Sequence, residues 1–250
     1  MNDRQPFKPR RVRRRRWTLL AALAALLPIV ATAGTVTAKP VTAFTRTVYL
    51  VRHGAYDMQV GDPEVVNRLL PLGIAQARLI GARLAGIPGG FDSLTASPMT
   101  RTRETAWVIN QSLPGLKQQT SPLLRECLPR TLDSAALQGA ATEELDACEA
   151  QLDQAFRRYF QPARDHEGRE LLVCHGNVIR YLVTRAMGVD PRAWLAMSVG
   201  HASLTVIRID PQGTMKILAV GDVGHIPPNM QSGTGADDPV LMVPAAPQDP

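Results

Sequence analysis

Short apolar runs alternate with longer amphipathic stretches through the middle of the chain. The apolar runs are typical of buried strands; they cover residues 47–51, 93–96, 171–174, 204–209 and 215–220. Helical periodicity is found over residues 71–84, 98–113, 142–160 and 178–187. This alternation predicts an α/β fold, a three-layer αβα sandwich with a mostly parallel sheet. The last two runs, joined by the turn sequence DPQG, predict an antiparallel hairpin at the edge of the sheet.

The same pattern divides the chain into three parts. The folded domain is predicted over residues 45–230, with a signal peptide or membrane anchor plus linker at residues 1–40. From Ser232 onward Gly, Asp, Pro and Ala dominate, so residues 231–250 are predicted to be a disordered tail. The helix at residue 71 follows Leu70 rather than Ser, Thr, Asp or Asn, and it therefore lacks a side-chain N-cap.

Charge changes the picture only at the N-terminus. The formal charge is +6, but eight of the 28 basic residues and one of the 22 acids lie in the first 17 residues. The remaining 20 basic and 21 acidic residues leave the rest of the chain with a charge of about −1. We therefore expect no nucleic-acid partner.

The arginine-rich start and the apolar run WTLLAALAALLPIVATAG together resemble a targeting segment. Small residues at 31–33 favour a cleaved signal, whereas the length of the run also permits an uncleaved inner-membrane anchor through residues 17–38. Arginines before the run keep that end in the cytoplasm. Both alternatives predict an exported domain, either periplasmic or anchored in the inner membrane. A mitochondrial leader is disfavoured by the apolar core, and the twin-arginine match is poor.

Three cysteines occur, at positions 127, 148 and 174, without metal-type spacing. Export would permit a Cys127–Cys148 disulfide that leaves Cys174 free. Three buried thiols are the alternative.

Polar side chains follow three of the predicted strands at the point where each strand ends. Arg52 and His53 follow the first in YLVRHG, Arg101 opens the helix after the second in TASPMTRTRETA, and His175 follows the third in LLVCHGN. Ligands of such sheets bind at the carboxyl ends of the strands. Arginines and helix N-termini in one crevice indicate an anion site, and arginine forks match phosphate oxygens. No third histidine or carboxylate lies at metal-ligand spacing, so no metal is expected.

These motifs, in this order, resemble the histidine phosphatase superfamily, which is also called phosphoglycerate-mutase-like. The resemblance covers about residues 48–228. Within the superfamily, LTASPMTRTRET, SPLLREC, CHGNVIRYLVTRAMGV and VGDVGHIPP look most like its mitochondrial serine/threonine phosphatase branch.

The resemblance implies a role for each matching residue. His53 is the nucleophile that becomes phosphohistidine, and Arg52, Arg101 and His175 hold the phosphoryl oxygens. Glu126, in LLREC, is the proton donor, with Glu104 and Asp57 as the alternatives. We expect the second ring nitrogen of His53 to donate to a backbone carbonyl, and His175 to be cationic beside a bound anion. The arginines supply the positive charge, so no cofactor is implied.

The expected function is hydrolysis of a phosphomonoester, on a phosphoprotein or a small molecule, without a metal. Two alternatives stay open: a phospho-ligand binding module with a vestigial site, and a phosphoglycerate mutase. The stretch CLPRTL after Glu126 disfavours a mutase, because mutases of the family carry Tyr-Gly there. His201 is expected to be structural, and His166 and His225 to be exposed. Oligomeric state is open, with a homodimer among the alternatives.

Overall fold

A six-stranded sheet forms the centre of the structure. The computed structural model describes residues 43–57 and 67–233. The strands are β1 (Arg46–Arg52), β2 (Ser93–Ala96), β3 (Gln118–Thr120), β4 (Gly168–Cys174), β5 (Leu204–Ile209) and β6 (Met215–Asp222). Their order across the sheet is β3-β2-β4-β1-β5-β6. The pairs among β1 to β4 are parallel, whereas β5 runs antiparallel to both β1 and β6. The mostly parallel sheet and its antiparallel edge hairpin are confirmed.

Four helices cover the two faces of the sheet. They are α1 (Pro71–Ala85), α2 (Thr100–Asn110), α3 (Thr142–Tyr159) and α4 (Gly176–Met187). Both faces of β1 are buried: Val48 and Leu50 pack in a core with residues of α3 and α4, while Val51 packs with residues of α1 and α2. A central strand covered on both faces reads as a continuous apolar run, which explains why this strand was predictable.

The predicted elements differ from the observed ones mainly at their ends. The helix predicted over residues 98–113 covers only Thr100–Asn110, because residues 97–99 form the turn whose Ser97 carbonyl accepts from the Thr102 hydroxyl. The strand β3 was not predicted, since its three residues are polar and lie at the sheet edge. Leu70 precedes α1 without a side-chain cap, as predicted.

Cys127 and Cys148 form a disulfide, and Cys174 is a buried free thiol. Of the two alternatives for the cysteines, the pairing expected under export is therefore the one observed, and three free thiols is wrong. The bridge joins the loop after a short 3₁₀ helix (Pro122–Leu124) to α3.

Residues 231–233, which the predicted tail includes, lie against the domain. Ser232 contacts Gln76 and His201, and the Gly233 carbonyl accepts from Arg52. The remainder of the predicted tail and the predicted targeting segment lie outside the described residues. Within the described ranges, no helix is long and apolar enough to cross a membrane.

Candidate active site

The carboxyl end of β1 presents His53 at the centre of a buried polar cluster. The His53 amide donates to the Cys174 carbonyl at the end of β4, and the His53 carbonyl accepts from the Ala202 amide just before β5. Backbone hydrogen bonds to both neighbouring strands therefore hold this residue, which is 2% exposed.

Gly54 follows because two backbones meet at this point. A Cβ atom at position 54 would lie 2.5 Å from the Gly73 carbonyl oxygen in α1, and a Cβ at position 73 would lie 2.0 Å from the Ala55 carbonyl oxygen. Only glycine allows this approach, which brings the first turn of α1 against the chain leaving β1.

The hydrogen bonds of His53 define its tautomer. Nδ1 lies 2.9 Å from the Gly54 carbonyl oxygen, which only accepts, so Nδ1 carries the proton. Nε2 lies 3.3 Å from the Arg101 Nε–H donor and therefore presents its lone pair. Burial, followed by the charges of His175 and the arginines, lowers the pKa of His53 well below its ordinary 6.5. The neutral ring thus directs a nucleophilic nitrogen toward a guanidinium group, and the expected hydrogen bond to a backbone carbonyl is present.

Two arginines contribute positive charge around His53. Arg101, in the first turn of α2, is 5% exposed, and its guanidinium stacks on the Tyr56 ring with 4.7 Å to the centroid. Arg52 donates to the Val199 carbonyl over 2.7 Å and to the Gly233 carbonyl. Both side chains are thereby oriented by protein groups, as a preorganised anion site requires.

His175 lies beside His53, with 5.2 Å between the ring centroids. It is fully buried at the N-cap of α4, and its Nε2 lies 2.8 Å from the Ser97 hydroxyl. Burial, followed by the charges of Arg101 and Arg52, lowers the pKa of His175 well below 6.5. The expected cationic form is therefore disfavoured in the absence of an anion. A bound phosphate dianion would act in the opposite direction.

Glu126 completes the cluster. Its Oε2 lies 3.7 Å from His175 Nδ1, and its Oε1 is buried with no hydrogen-bond partner among the described residues. Burial raises the pKa of Glu126 from 4.5 to about 7, and the charges of Arg52 and Arg101 only partly oppose this. The carboxyl group is thus poised to give and take a proton near neutral pH.

Three contacts hold the loop that carries Glu126. The Asn177 side chain donates to the Cys127 carbonyl over 3.0 Å, and the Gln151 side chain donates to the Arg125 carbonyl over 2.8 Å. The Cys127–Cys148 disulfide fixes the residue immediately after Glu126 to α3. Asn177 is therefore a support of this loop.

The two alternative acids are not part of the cluster. Glu104 accepts from the Arg68 side chain and the Leu69 amide, 2.7 and 2.8 Å away, and Asp57 is exposed. Arg125 is exposed, yet its charge contributes to lowering the pKa of His175.

Of the other histidines, His225 departs from its expected exposure, His166 agrees with it, and His201 lies beside the cluster. His225 is half-buried, hydrogen-bonded to Arg83 and to the Ala202 carbonyl. His201, expected to be structural, lies against His53 with 5.4 Å between ring centroids. It precedes β5, and because β5 is antiparallel, its beginning lies at the carboxyl ends of the parallel strands. The sequence predicted only that the last two strands are antiparallel to each other, so it did not place His201 at this edge. His166 is exposed, as expected.

In the described part of the chain, no group of three or more His, Cys, Asp or Glu side chains is arranged to hold a metal ion. The cluster instead combines a neutral nucleophilic imidazole, two guanidinium groups, the N-termini of α2 and α4, and a carboxyl group that titrates near neutrality.

Comparison with known families agrees with this chemistry. Residues 48–222 match the model of the histidine phosphatase superfamily, branch 1. The chain belongs to the histidine phosphatase superfamily. It is thus a phosphatase-type hydrolase, and the matched residues include the entire cluster around His53.

The chain is 39% identical to the mitochondrial serine/threonine-protein phosphatase Pgam5 of Caenorhabditis elegans over 204 residues, which are 76% of this chain and 67% of that protein. It is 36% identical to the human protein of that name over 190 residues, 74% of this chain and 65% of the relative. The chain thus spans about two thirds of the length of these relatives. These relatives are mitochondrial proteins by name. The expectation of a periplasmic domain, or of one anchored in the inner membrane, is therefore wrong.

Solved phosphoglycerate mutases share the fold. The enzyme from Plasmodium falciparum matches with a TM-score of 0.52 and 26% identity, over 74% of this chain and 95% of that chain. The enzyme from Bacillus anthracis matches with a TM-score of 0.56 and 18% identity, over 75% of this chain and 97% of that chain.

Proposed function

We propose that this superfamily member hydrolyses phosphomonoesters through a phosphohistidine on His53. The observation that carries the proposal is the His53 tautomer, with the Nε2 lone pair aimed at the Arg101 guanidinium 3.3 Å away. A guanidinium fork can hold the oxygens of a phosphate ester. A nucleophile that faces the fork then lies opposite the phosphorus of that ester. The arginines supply the charge that a metal ion supplies in other phosphatases.

The first step transfers the phosphoryl group to the enzyme. His53 Nε2 forms a bond to phosphorus while the ester P–O bond breaks, and the leaving oxygen takes the proton of Glu126. Arg52, Arg101 and His175 hold the non-bridging oxygens, and the N-termini of α2 and α4 favour the same negative charge. The Nδ1–H of His53 stays on the Gly54 carbonyl and keeps the ring oriented.

The second step regenerates the enzyme with the same groups. A water molecule attacks phosphorus and gives a proton to the Glu126 carboxylate, and the P–N bond to His53 breaks as phosphate forms. A carboxyl group with a pKa of about 7 serves as the acid in one step and as the base in the next.

For the substrate class, we propose phosphoserine and phosphothreonine in proteins. The support is the 34–39% identity to relatives named serine/threonine-protein phosphatases. A small phosphate ester is the alternative outcome. We also propose that residues 1–40, which lie outside the described residues, target or anchor the catalytic domain. We propose a homodimer as the assembly of the protein. Light scattering of the purified full chain tests the dimer.

The test uses the purified full chain with p-nitrophenyl phosphate in excess EDTA. Wild type is expected to turn over, His53→Ala to fall to background, and the surface control His166→Ala to match wild type. Full turnover by His53→Ala, or no turnover by wild type on any phosphoester, would reject the proposal. Comparing kcat/KM for phosphoserine peptides and phosphorylated metabolites then decides between the substrate classes.

A further inference from the structure

The residues that precede β5 place a second imidazole beside the nucleophile. Ala202 adopts a left-handed conformation with φ of +52°, and its amide donates to the His53 carbonyl. Such a conformation is uncommon for a residue with a side chain and indicates a turn held by its surroundings. The turn sets the His201 ring 5.4 Å from the His53 ring, centroid to centroid, and 6.1 Å from the Tyr56 ring.

A chain of hydrogen bonds from α1 reaches this ring. Gln76 is fully buried, and its Oε1 accepts from the Ala55 amide over 2.9 Å. The two hydrogens of its Nε2 go to the Met230 carbonyl, 2.7 Å away, and to the Ser232 hydroxyl, 3.0 Å away. The amide orientation of Gln76 is thus determined by three partners, and Ser232 Oγ must accept from it.

This chain favours one tautomer of His201. Ser232 Oγ lies 3.0 Å from His201 Nδ1 and already accepts from Gln76, so its own hydrogen is available for Nδ1. Burial, followed by the charges of Arg52 and Arg101, lowers the pKa of His201 to about 3, so the ring is neutral. A neutral ring that accepts at Nδ1 carries its proton on Nε2.

The remaining donor of His201 has no partner among the residues that the structure describes. Nε2 is buried and makes no hydrogen bond with any described residue. His175 Nδ1 and Glu126 Oε1 are also buried without a hydrogen-bond partner among the described residues. All three belong to the cluster around His53, where the phosphoryl group of the proposed reaction binds. A buried donor without a partner costs free energy, and a ligand oxygen at this place would satisfy it.

We propose that His201 is a further phosphate-binding residue, whose Nε2–H donates to an oxygen of the phosphoryl group. The inference rests on the proposed function, because it assumes the same ligand. His201 supplies a neutral donor beside the two cationic arginines, and its hydrogen-bonded neighbours Gln76 and Ser232 favour the tautomer with the proton on Nε2. Gly233 packs directly against the His201 ring, because a Cβ at position 233 would lie 2.4 Å from His201 Nδ1.

The test separates a donor from a packing residue with two variants of the full chain. His201→Gln keeps an N–H donor near the position of Nε2, whereas His201→Phe keeps a planar ring without a donor. The dissociation constant of inorganic phosphate is measured by calorimetry. Turnover and the thermal midpoint of unfolding are measured in the same preparations. We expect His201→Phe to weaken phosphate binding about tenfold, which corresponds to about 1.4 kcal/mol, and His201→Gln to stay within about threefold of wild type.

Equal phosphate binding by wild type and His201→Phe, or equal weakening in both variants, would overturn the inference. If neither variant folds, ¹⁵N spectra of histidine-labelled wild type decide. An Nε2–H tautomer whose Nε2 signal moves on adding phosphate supports the inference, and an Nδ1–H tautomer overturns it. Failure of the proposed function looks different, since wild type would then bind phosphate in the expected pattern and hydrolyse no ester.

Discussion

Replacing Glu126 with glutamine removes the titratable proton of the carboxyl group and preserves the shape of the side chain. In the proposed mechanism this proton goes to the leaving oxygen, and the resulting carboxylate later accepts a proton from water. The loss of a positioned acid or base typically costs about 10² to 10⁴ in rate. We expect a decrease of this size in kcat for an alkyl ester such as phosphoserine.

An aryl ester distinguishes the two roles of Glu126. The p-nitrophenolate group leaves without protonation, so Glu126→Gln should still form phosphohistidine from p-nitrophenyl phosphate. Hydrolysis of that intermediate then lacks its base. Stopped-flow mixing is expected to show a burst of p-nitrophenolate close to one equivalent of enzyme, followed by slow turnover. Glu104→Gln, which changes an acid outside the cluster, should show no burst and wild-type turnover on both esters.

The raised pKa of Glu126 also makes stability depend on pH. Folding raises this pKa from 4.5 to about 7, so the stability that depends on the protonated form is complete below pH 4.5 and is lost as the pH rises through 7. This difference in pKa corresponds to at most about 3 kcal/mol in the free energy of unfolding. Because the side chain is a quarter exposed, we expect about 1–2 kcal/mol.

Urea unfolding at two pH values measures this effect. Glu126→Gln should match wild type at pH 4.5 and exceed its free energy of unfolding at pH 8. An equal difference at both pH values would refute the raised pKa. No burst with p-nitrophenyl phosphate, together with equal losses on aryl and alkyl esters, would refute the assignment of Glu126 as the acid and base.

Two further predictions concern the frame of the site. Cys148→Ser should lower the free energy of unfolding by about 3 kcal/mol, because the disulfide closes a loop between positions 21 residues apart. In urea unfolding, reductant should shift the midpoint of the wild type and not that of the variant. Equal midpoints for wild type and variant without reductant would contradict this. Gly54→Ala should cost about 1–3 kcal/mol or more, since its Cβ would meet the Gly73 backbone at 2.5 Å. Gly86→Ala, with 3.4 Å to its nearest contact, is the control and should stay within about 0.5 kcal/mol of wild type in thermal unfolding.

Much of the fold was predictable because both faces of the central strands are buried. The limits of β2 and β5 agree with the sequence prediction residue for residue. The polar edge strand β3 carried no such pattern. Residues 231–233 were assigned to a tail by composition, yet their role depends on contacts with α1 and His201 that composition does not encode.

The candidate site divides in the same way. Arg52, His53, Arg101 and His175 follow strands or open helices, so topology alone brought them to one edge. Glu126 depended on the resemblance to a family, because a loop acid has no periodicity that marks it. The place of His201 required knowing that β5 pairs antiparallel with β1, which puts Leu204 opposite Val51.

Detection of the covalent intermediate tests the central claim most directly. The full chain is mixed with a phosphoester, quenched in alkali within a single turnover, and mapped by mass spectrometry and ³¹P NMR. The expected result is one phosphoramidate per chain on Nε2 of His53, stable in base, lost in acid, and absent from His53→Ala. Phosphate on a different residue, or continued turnover with no phosphorylated His53 at any time, would contradict the mechanism.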